Sequence, residues 1–292
     1  MIVSCDEMKA LEKRAFAGRV TAEALMNEAG RKIAEAVHQF FPMAGDCAVW
    51  FGKGNNGGDA LVAARHLKTW GWNVTVSHPF PPESWSELTR KKFTAFVGVR
   101  EGQVPAGIVT RQPLIILDGI LGTGAGGALR EPVRGAAREI NQLRARSDAQ
   151  IFAIDLPTGL DGDTGAADAD CVVADFTLTI GFAKKGLVAD GAANYVGRLA
   201  VLPLEKLSAL QGGARGEEIV ATGESLAGLL PRRKFDSNKG DYGRVGIIAG
   251  SVGATGAAVM CASGALRGGA GLITLFVTPD IYPIVAGACP PE

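Results

Sequence analysis

Gly52-Lys53-Gly54-Asn55-Asn56-Gly57-Gly58-Asp59 is the stretch on which the reading of this chain turns. It follows an apolar run, Cys47-Ala48-Val49-Trp50-Phe51, that reads as a fully buried strand. It precedes Ala60-Leu61-Val62-Ala63-Ala64-Arg65-His66-Leu67, which reads as a helix with an apolar face. Four glycines let the backbone take positive φ and bring its N–H groups close to a ligand. The helix that follows points its positive end at the same spot, so the turn is an anion seat. Two asparagines and Asp59 add side-chain donors and acceptors that a mere tight turn does not need. Gly52, Gly54 and Gly57 also satisfy the dinucleotide fingerprint Gly-x-Gly-x-x-Gly. However, no acidic residue closes a second strand about 20 positions later, where a dehydrogenase holds the ribose. That second strand, Asn73 to His78, runs into Pro79 instead, and the ordinary dehydrogenase is set aside.

Composition bounds what lies around this stretch. The chain has 292 residues, enough for one large or two modest domains, and 47% hydrophobic residues, enough for a sizeable core. Thirty basic and thirty acidic side chains cancel, so no basic face or tail advertises nucleic acid or anionic lipid. Five scattered cysteines, Cys5, Cys47, Cys171, Cys261 and Cys289, show no Cys-x-x-Cys spacing. They read as reduced thiols of a cytoplasmic protein, not as a disulfide frame or zinc site. The first sixteen residues carry mixed charge and no signal-peptide core. The uncharged stretch between Arg244 and Arg267 is mostly Gly, Ala and Ser, and reads as a buried strand, a loop and a helix, with no membrane span.

Outward from the loop, helices and strands alternate. Ser4 and Glu7 form a capping box for a helix over 6–17, and Thr21 caps a second helix through Phe40. In that second helix Leu25-Met26-Asn27-Glu28-Ala29-Gly30 packs as an amphipathic face, and its polar residues are not assigned to catalysis. A helix over 60–70 follows the loop, then the strand at 73–77, a helix from Ser86 to Phe96, and a strand near 97–100. Apolar strands then cover 114–117, 151–154, 171–180 and 198–202, with a helix over 132–146 between the first two. Continuous apolar strands alternating with helices predict an α/β fold, a Rossmann-like, doubly wound, mostly parallel sheet.

In such sheets ligands gather beyond the carboxyl ends of the strands. Asp59, Asp118 and Asp155 each follow an apolar strand beside a glycine-rich loop, so they are expected at that edge. A single such aspartate is often only a turn residue. Three are hard to explain that way.

The loop motif resembles the Gly-Asn-Asn-Gly-Gly-Asp-Gly of the YjeF N-terminal family, the NAD(P)H-hydrate epimerases, with Ala60 for the last glycine. Asp118-Gly119-Ile120-Leu121-Gly122-Thr123-Gly124 is similar to the family's Asp-Ala-Leu-Phe-Gly-x-Gly. Ala153-Ile154-Asp155-Leu156-Pro157-Thr158-Gly159-Leu160-Asp161 is similar to its Ala-Ile-Asp-Ile-Pro-Ser-Gly-Leu-Asp, and Thr177 to Lys184 to its Thr-Val-Thr-Phe-Gly-x-x-Lys. The resemblance implies interconversion of the R and S forms of the hydrates NADHX and NADPHX. It implies that Asn55, Asn56, Gly57, Gly58 and Asp59, the loop Gly122, Thr123, Gly124, Ala125, Gly126, Gly127 and Ala128, and Asp155 hold that small-molecule substrate. Asn56, Asp118 and Thr158 match its potassium positions, where neutral and carboxylate oxygens suit a hard monovalent cation.

Inverting a carbon that carries nitrogen and hydroxyl requires labilising a C–O or C–N bond, which asks for a general acid and base. Asp118 and Asp155 are the candidates, with Asp59 as orienter or alternate, and acid and base are not assigned individually. Lys184 either holds a neighbouring carboxylate or phosphate or is a solvated surface lysine. His66 reads as a partly buried helix residue. A homodimer is a family expectation, and the preference between NADHX and NADPHX stays open. The competing reading is a non-catalytic dinucleotide-binding or scaffold module, which would predict losses at the loop or the strand-end aspartates.

Three regions are expected: an epimerase domain over 1–210, a linker over 211–225, and a third segment over 226–292. Asn238-Lys239-Gly240 through Gly250-Ser251, then Gly269-Ala270-Gly271-Leu272, resemble the opening of the ribokinase-like NAD(P)H-hydrate dehydratase, with Asn238 for a histidine. That resemblance implies ADP or ATP as cofactor and an incomplete second domain in a truncated sequence. Such a fragment is expected to leave sheet edges and apolar faces exposed.

Overall fold

Strands that are apolar on both faces must be covered on both faces, and the chain's first part is built that way. The computed structural model describes residues 1–96, 98–102, 113–124, 126–209, 219–229 and 232–289. The chain divides into two compact units, Met1–Val220 and Ala221–Glu292. In the first unit β2 (Asp46–Phe51), β3 (Asn73–Ser77), β4 (Arg100–Glu101), β5 (Leu114–Gly119), β6 (Gln150–Ile154), β7 (Phe176–Ile180) and β9 (Arg198–Leu202) form one sheet. Their order is β4-β3-β2-β5-β6-β7-β9 and every pairing is parallel. β1 (Ile2–Val3) and β8 (Ala183–Lys184) make a separate parallel pair, with Val3 opposite Lys184.

Alternate residues of each strand serve opposite faces. Cys47, Val49 and Phe51 of β2, with Ile115, Leu117, Phe152 and Ile154, join the core under α1 (Cys5–Ala17), α2 (Ala22–Phe40) and α3 (Asn55–Thr69). Ala48, Trp50, Ile116, Ile151 and Ala153 face Val133, Ala137 and Ile140 of α5 (Val133–Arg146). The strand order reverses at β2 and β5, so Gly52 and Gly119 flank the crevice where such sheets bind ligands.

Helix starts follow the expected caps. Ser4 and Glu7 close a capping box, and the Thr21 side chain accepts from Ala24 N–H. α2 packs so closely on α3 that a Cβ on Gly30 would lie 2.5 Å from Val62 Cγ1. Two of its polar residues bond to neighbouring elements. Asn27 accepts from Lys92 Nζ at 2.9 Å, and Glu28 accepts from the Glu205 N–H at 2.8 Å.

Three boundaries differ from the sequence reading. α3 begins at Asn55 rather than at 60, so the glycine-rich stretch is the helix's own first turns. None of Gly52, Gly54, Gly57 and Gly58 has positive φ, and the expected left-handed turn does not form. The glycines serve close approach instead: a Cβ on Gly57 would lie 2.8 Å from the backbone of Gly52, and one on Gly58 2.6 Å from Met26 Sδ. The strand expected over 171–180 is regular only from Phe176. Ahead of it the backbone bonds sideways: Asn141 donates to Cys171 O and accepts from Val173 N–H, and Ala174 N–H donates to Tyr195 O. The strand expected near 97–100 starts at Arg100, and residue 97 lies outside the described residues.

The second unit holds α8 (Gly223–Ala227) and a parallel pair, β10 (Arg244–Ile248) and β11 (Leu272–Phe276), joined through α9 (Thr255–Arg267). α10 (Tyr282–Ala288) completes a small core of Ala258, Ile281 and Val285. The strand and helix expected between Arg244 and Arg267 are present, but the strand is not buried, with Ile248 at 89% exposure. Most of the expected linker lies outside the described residues. Among the described residues no helix is long and apolar enough to cross a membrane.

Candidate functional site

α3 starts without a side-chain cap, because its N-cap is Gly54. The first-turn N–H groups therefore face the crevice with the positive end of a 15-residue helix behind them. The turn is held from outside by α4 (Glu87–Thr94), whose buried Thr89 donates to Gly54 O at 2.9 Å, while Ser86 N–H donates to Lys53 O at 2.8 Å. A Cβ on Gly122 would lie 3.3 Å from Asn56 Cβ, so the two glycine-rich loops touch.

Asp118 lies inside β5, fully buried, opposite Trp50. Its Oδ1 accepts from Thr158 Oγ1 at 2.7 Å and Ile120 N–H at 3.3 Å, and its Oδ2 accepts from Thr158 N–H at 2.8 Å. Burial, set against these bonds, pushes its carboxyl up to about 6. Thr158 Oγ1 also accepts from Leu121 N–H at 3.2 Å, and Asn56 Nδ2 donates to Leu121 O at 2.7 Å. Asn56, Asp118 and Thr158 thus form one polar node. Its donor set fits a monovalent cation: the Asn56 amide oxygen, the Thr158 hydroxyl, the Leu121 carbonyl and one carboxylate are all oxygens, with a single negative charge. The methyl that distinguishes Thr158 from serine leaves the hydroxyl in place.

Asp59 and Asp155 belong to a second cluster. Asp155 adopts the left-handed region at φ 67, which turns its side chain back over the ends of β7 and β8. Its Oδ1 accepts from Lys184 Nζ, from Thr179 Oγ1 at 3.3 Å and from Ile180 N–H at 3.1 Å. Lys184 is fully buried, and Nζ also donates to Thr179 Oγ1 and to Ile180 O at 2.9 Å, so all three ammonium hydrogens have acceptors. The surface reading of Lys184 is therefore wrong, since β1 covers β8. Asp155 Oδ2 takes no hydrogen bond among the described residues. Asp59, 8% exposed, faces the same cluster, and its carboxylate also makes no hydrogen bond there. Burial, then the charges of Asp155 and Glu12, holds the Asp59 carboxyl well above the ordinary carboxylate range against the pull of Lys184.

A cleft of about 700 Å³ opens beside these groups. Gly122, Gly126, Gly127 and Ala128 line it with Leu156 and Pro157, while Asn55 to Asp59, Asp118, Asp155 and Lys184 are not in its wall. Thr123 and Gly124 share the loop, and residue 125 lies outside the described residues. Carboxylates in the lining are turned to their own backbones: Glu131 accepts from Gly135 N–H, Asp161 from Thr164 N–H, Asp168 from Leu129 N–H. Arg130, exposed, is the cationic side chain of the wall, and Lys53 sits 5.1 Å over the Phe80 ring at its rim. His66 is half-buried beside Trp70, its imidazole pushed down by burial, and takes no part.

Sequence reasoning missed Arg130 and Thr89. Thr89 meets the loop only through the fold. Arg130 lies two residues past the second glycine-rich loop, and its proximity to that loop was the available signal.

Comparison with known proteins fits this architecture. Residues 22–186 match the family described as YjeF-related protein N-terminus. The bifunctional NAD(P)H-hydrate repair enzyme Nnr of Pyrobaculum aerophilum is 38% identical over 278 residues, covering 92% of this chain and 53% of that protein. The protein of that name from Moorella thermoacetica is 34% identical, covering 98% of this chain and 56% of its own. The bifunctional NAD(P)H-hydrate repair enzyme of Leishmania braziliensis is 34% identical, covering 91% and 48%. The chain therefore spans about half the length of the curated relatives it matches. The crystal structure of yeast ynu0, YNL200c superposes with a TM-score of 0.57 at 24% identity, over 75% of this chain and 96% of that one, and shows the fold. The match over 22–186, which contains the loop, the polar node and Asp155, settles descent: this chain belongs to the YjeF-related protein N-terminus family.

Proposed function

We propose that this chain epimerises the R and S hydrates of reduced nicotinamide dinucleotides, NADHX and NADPHX, as a repair reaction. One observation carries the reading: Asp155 is ion-paired with the buried Lys184 at the carboxyl edge of the sheet, and the buried Asp59 shares its neighbourhood. Burial holds the Asp59 carboxyl above the ordinary carboxylate range, which favours its protonated form, while Asp155 is paired with Lys184 through one oxygen and leaves the other without a partner among the described residues. The relatives' names support this substrate class.

Asp59 donates its proton to the hydroxyl on the epimeric carbon, which leaves as water while the ring-nitrogen lone pair forms an iminium. Water adding to the opposite face loses a proton to Asp155 Oδ2. Transfer of that proton from Asp155 back to Asp59 restores the starting charges. Asp118 has both oxygens engaged and full burial, so its place is in the cation node and not in proton transfer. Potassium held by Asn56, Asp118 and Thr158 would balance that buried charge and pin the two loops together. Arg130 and the free α3 amides would bind the substrate's phosphates. A cytoplasmic homodimer belongs to the same proposal, as does a ribokinase-like dehydratase using ADP or ATP that the second unit would begin.

The test is a coupled assay. Mixed R and S NADPHX is treated with an S-specific dehydratase and its nucleotide until absorbance stops rising, and this protein is added in potassium buffer. A second rise is expected, reduced about 100-fold in rate by Asp59→Asn and weakened by Asp118→Ala. A flat trace with folded protein overturns the reading. Arg130→Gln should raise KM about tenfold and leave kcat nearly unchanged, the signature of lost ground-state binding. Steady-state kinetics on each hydrate measures it.

A further inference from the structure

A second cavity, of about 480 Å³, opens at the carboxyl ends of β3 and β4 against the start of α5. It adjoins the glycine-rich cleft. Phe80 lines the cleft and Pro79 the cavity, and Glu131, Pro132 and Val133 line cleft, cavity and cleft in turn. The strand order gives the cavity its meaning. Counted from β2 as first strand, β4-β3-β2-β5-β6-β7 is the 3-2-1-4-5-6 order of the dinucleotide fold. In that fold the glycine-rich turn after the first strand holds the pyrophosphate, and a carboxylate near the second strand's end holds the adenosine ribose.

The second strand here, β3, runs into Ser77 and His78 and brings no acid of its own. Its neighbour does. Glu101 of β4 pairs with Val76, Gly102 N–H donates to Val76 O at 3.1 Å, and Ser77 Oγ donates to Gly102 O at 2.7 Å. These bonds fix the backbone that carries Glu101 to the end of β3. Glu101 and the half-buried Glu139 of α5 both line the cavity, and no lysine or arginine is among its lining residues. Carboxylates of the cleft are bonded to their own backbones, whereas neither Glu101 nor Glu139 accepts a hydrogen bond among the described residues. His78 offers at most one positive charge against two carboxylates. Its Nδ1 has to donate to Phe80 O at 2.9 Å, since a carbonyl only accepts, and its Nε2 lies 4.0 Å from Glu101. Two acceptor-only side chains suit a group that presents donors, such as the paired hydroxyls of a ribose.

We propose that this cavity is the adenosine subsite of the dinucleotide, in which Glu101 accepts from the ribose hydroxyls and Glu101 with Glu139 sets a preference for NADHX over NADPHX. For its ligand the subsite rests on the epimerase reading. A 2′-phosphate brings a charge of about −1.5 to −2 at pH 7 to the place where both carboxylates stand. Like charges brought together at a binding surface suppress the wrong partner.

The experiment titrates the full chain by calorimetry with ADP-ribose and with 2′-phospho-ADP-ribose, which carry the adenosine end and lack the epimeric carbon. ADP-ribose should bind about tenfold more tightly. Glu101→Gln should weaken ADP-ribose about fivefold, through loss of a charged acceptor. Glu101→Gln/Glu139→Gln should bring the two ligands to within about twofold of each other. Neither side chain holds a hydrogen bond, so the variants should fold, and thermal unfolding checks this. Equal binding of the two ligands by the parent overturns the inference. So does binding of neither, or a preference that the double variant leaves intact. The epimerase reading fails separately: discrimination between these ligands with a flat trace on both hydrates keeps the subsite and loses the reaction.

Discussion

Asp155→Asn is expected to lower stability by about 3–5 kcal/mol, because it leaves a buried ammonium without its anion. Lys184 is fully buried, and after the substitution its acceptors are a threonine hydroxyl, a carbonyl and at best an amide oxygen. Coulomb attraction that offset the desolvation of the charge is gone, while the desolvation stays. Backbone strain does not explain such a loss, since asparagine tolerates the left-handed conformation that Asp155 adopts at φ 67. Thermal unfolding should show the effect as a fall in Tm of roughly 10 °C. The double variant Asp155→Asn/Lys184→Met removes both charges, and its loss should be clearly smaller than the sum of the two single losses. Both variants should be inactive. A single variant within about 1 kcal/mol of the parent would show that water reaches Lys184 and that the pair is not a buried one.

Gly57→Ala carries the second large effect, and Gly54→Ala is its control. Inside a helix, Ala is favoured over Gly by about 1 kcal/mol, so propensity alone predicts that Gly57→Ala stabilises α3. Sterics reverse this. The new Cβ would overlap the Gly52 carbonyl group, lying 2.8 Å from its carbon, and backbone cannot swing aside as a side chain can. Overpacking costs typically 1–3 kcal/mol and more against a rigid neighbour, so a net loss of about 2 kcal/mol is expected, with epimerisation abolished. Gly54 has φ −102 and nothing within 4 Å of an added Cβ. Gly54→Ala should therefore change stability by no more than about 0.5 kcal/mol. Urea unfolding of the two variants separates them. Equal losses would show that the loop needs conformational freedom and not close approach.

Much of this was legible in the chain. Apolar runs gave the strands, because burial on both faces leaves no polar alternation, and Asp118 and Asp155 could be placed at strand ends by counting. The start of α3 was hidden because Asn55, Asn56, Gly57 and Gly58 are all poor helix formers, and only their tertiary fit makes them helical. For Lys184 the sequence left a surface lysine and a partner of a carboxylate equally open, because nothing local buries it. Its cover comes from Ile2 and Val3 at the far end of the sequence.

The pairing of Val3 with Lys184 also orders events in time. A chain emerging from the ribosome exposes its first strand long before the partner of that strand exists. Contacts between such distant segments require closing a long loop and come late in folding. The glycine-rich turn on α3 has local and mid-range partners and can assemble earlier. The carboxylate cluster completes only after β8 docks, so the nascent first unit holds its glycine-rich turn before it holds the Asp155–Lys184 pair.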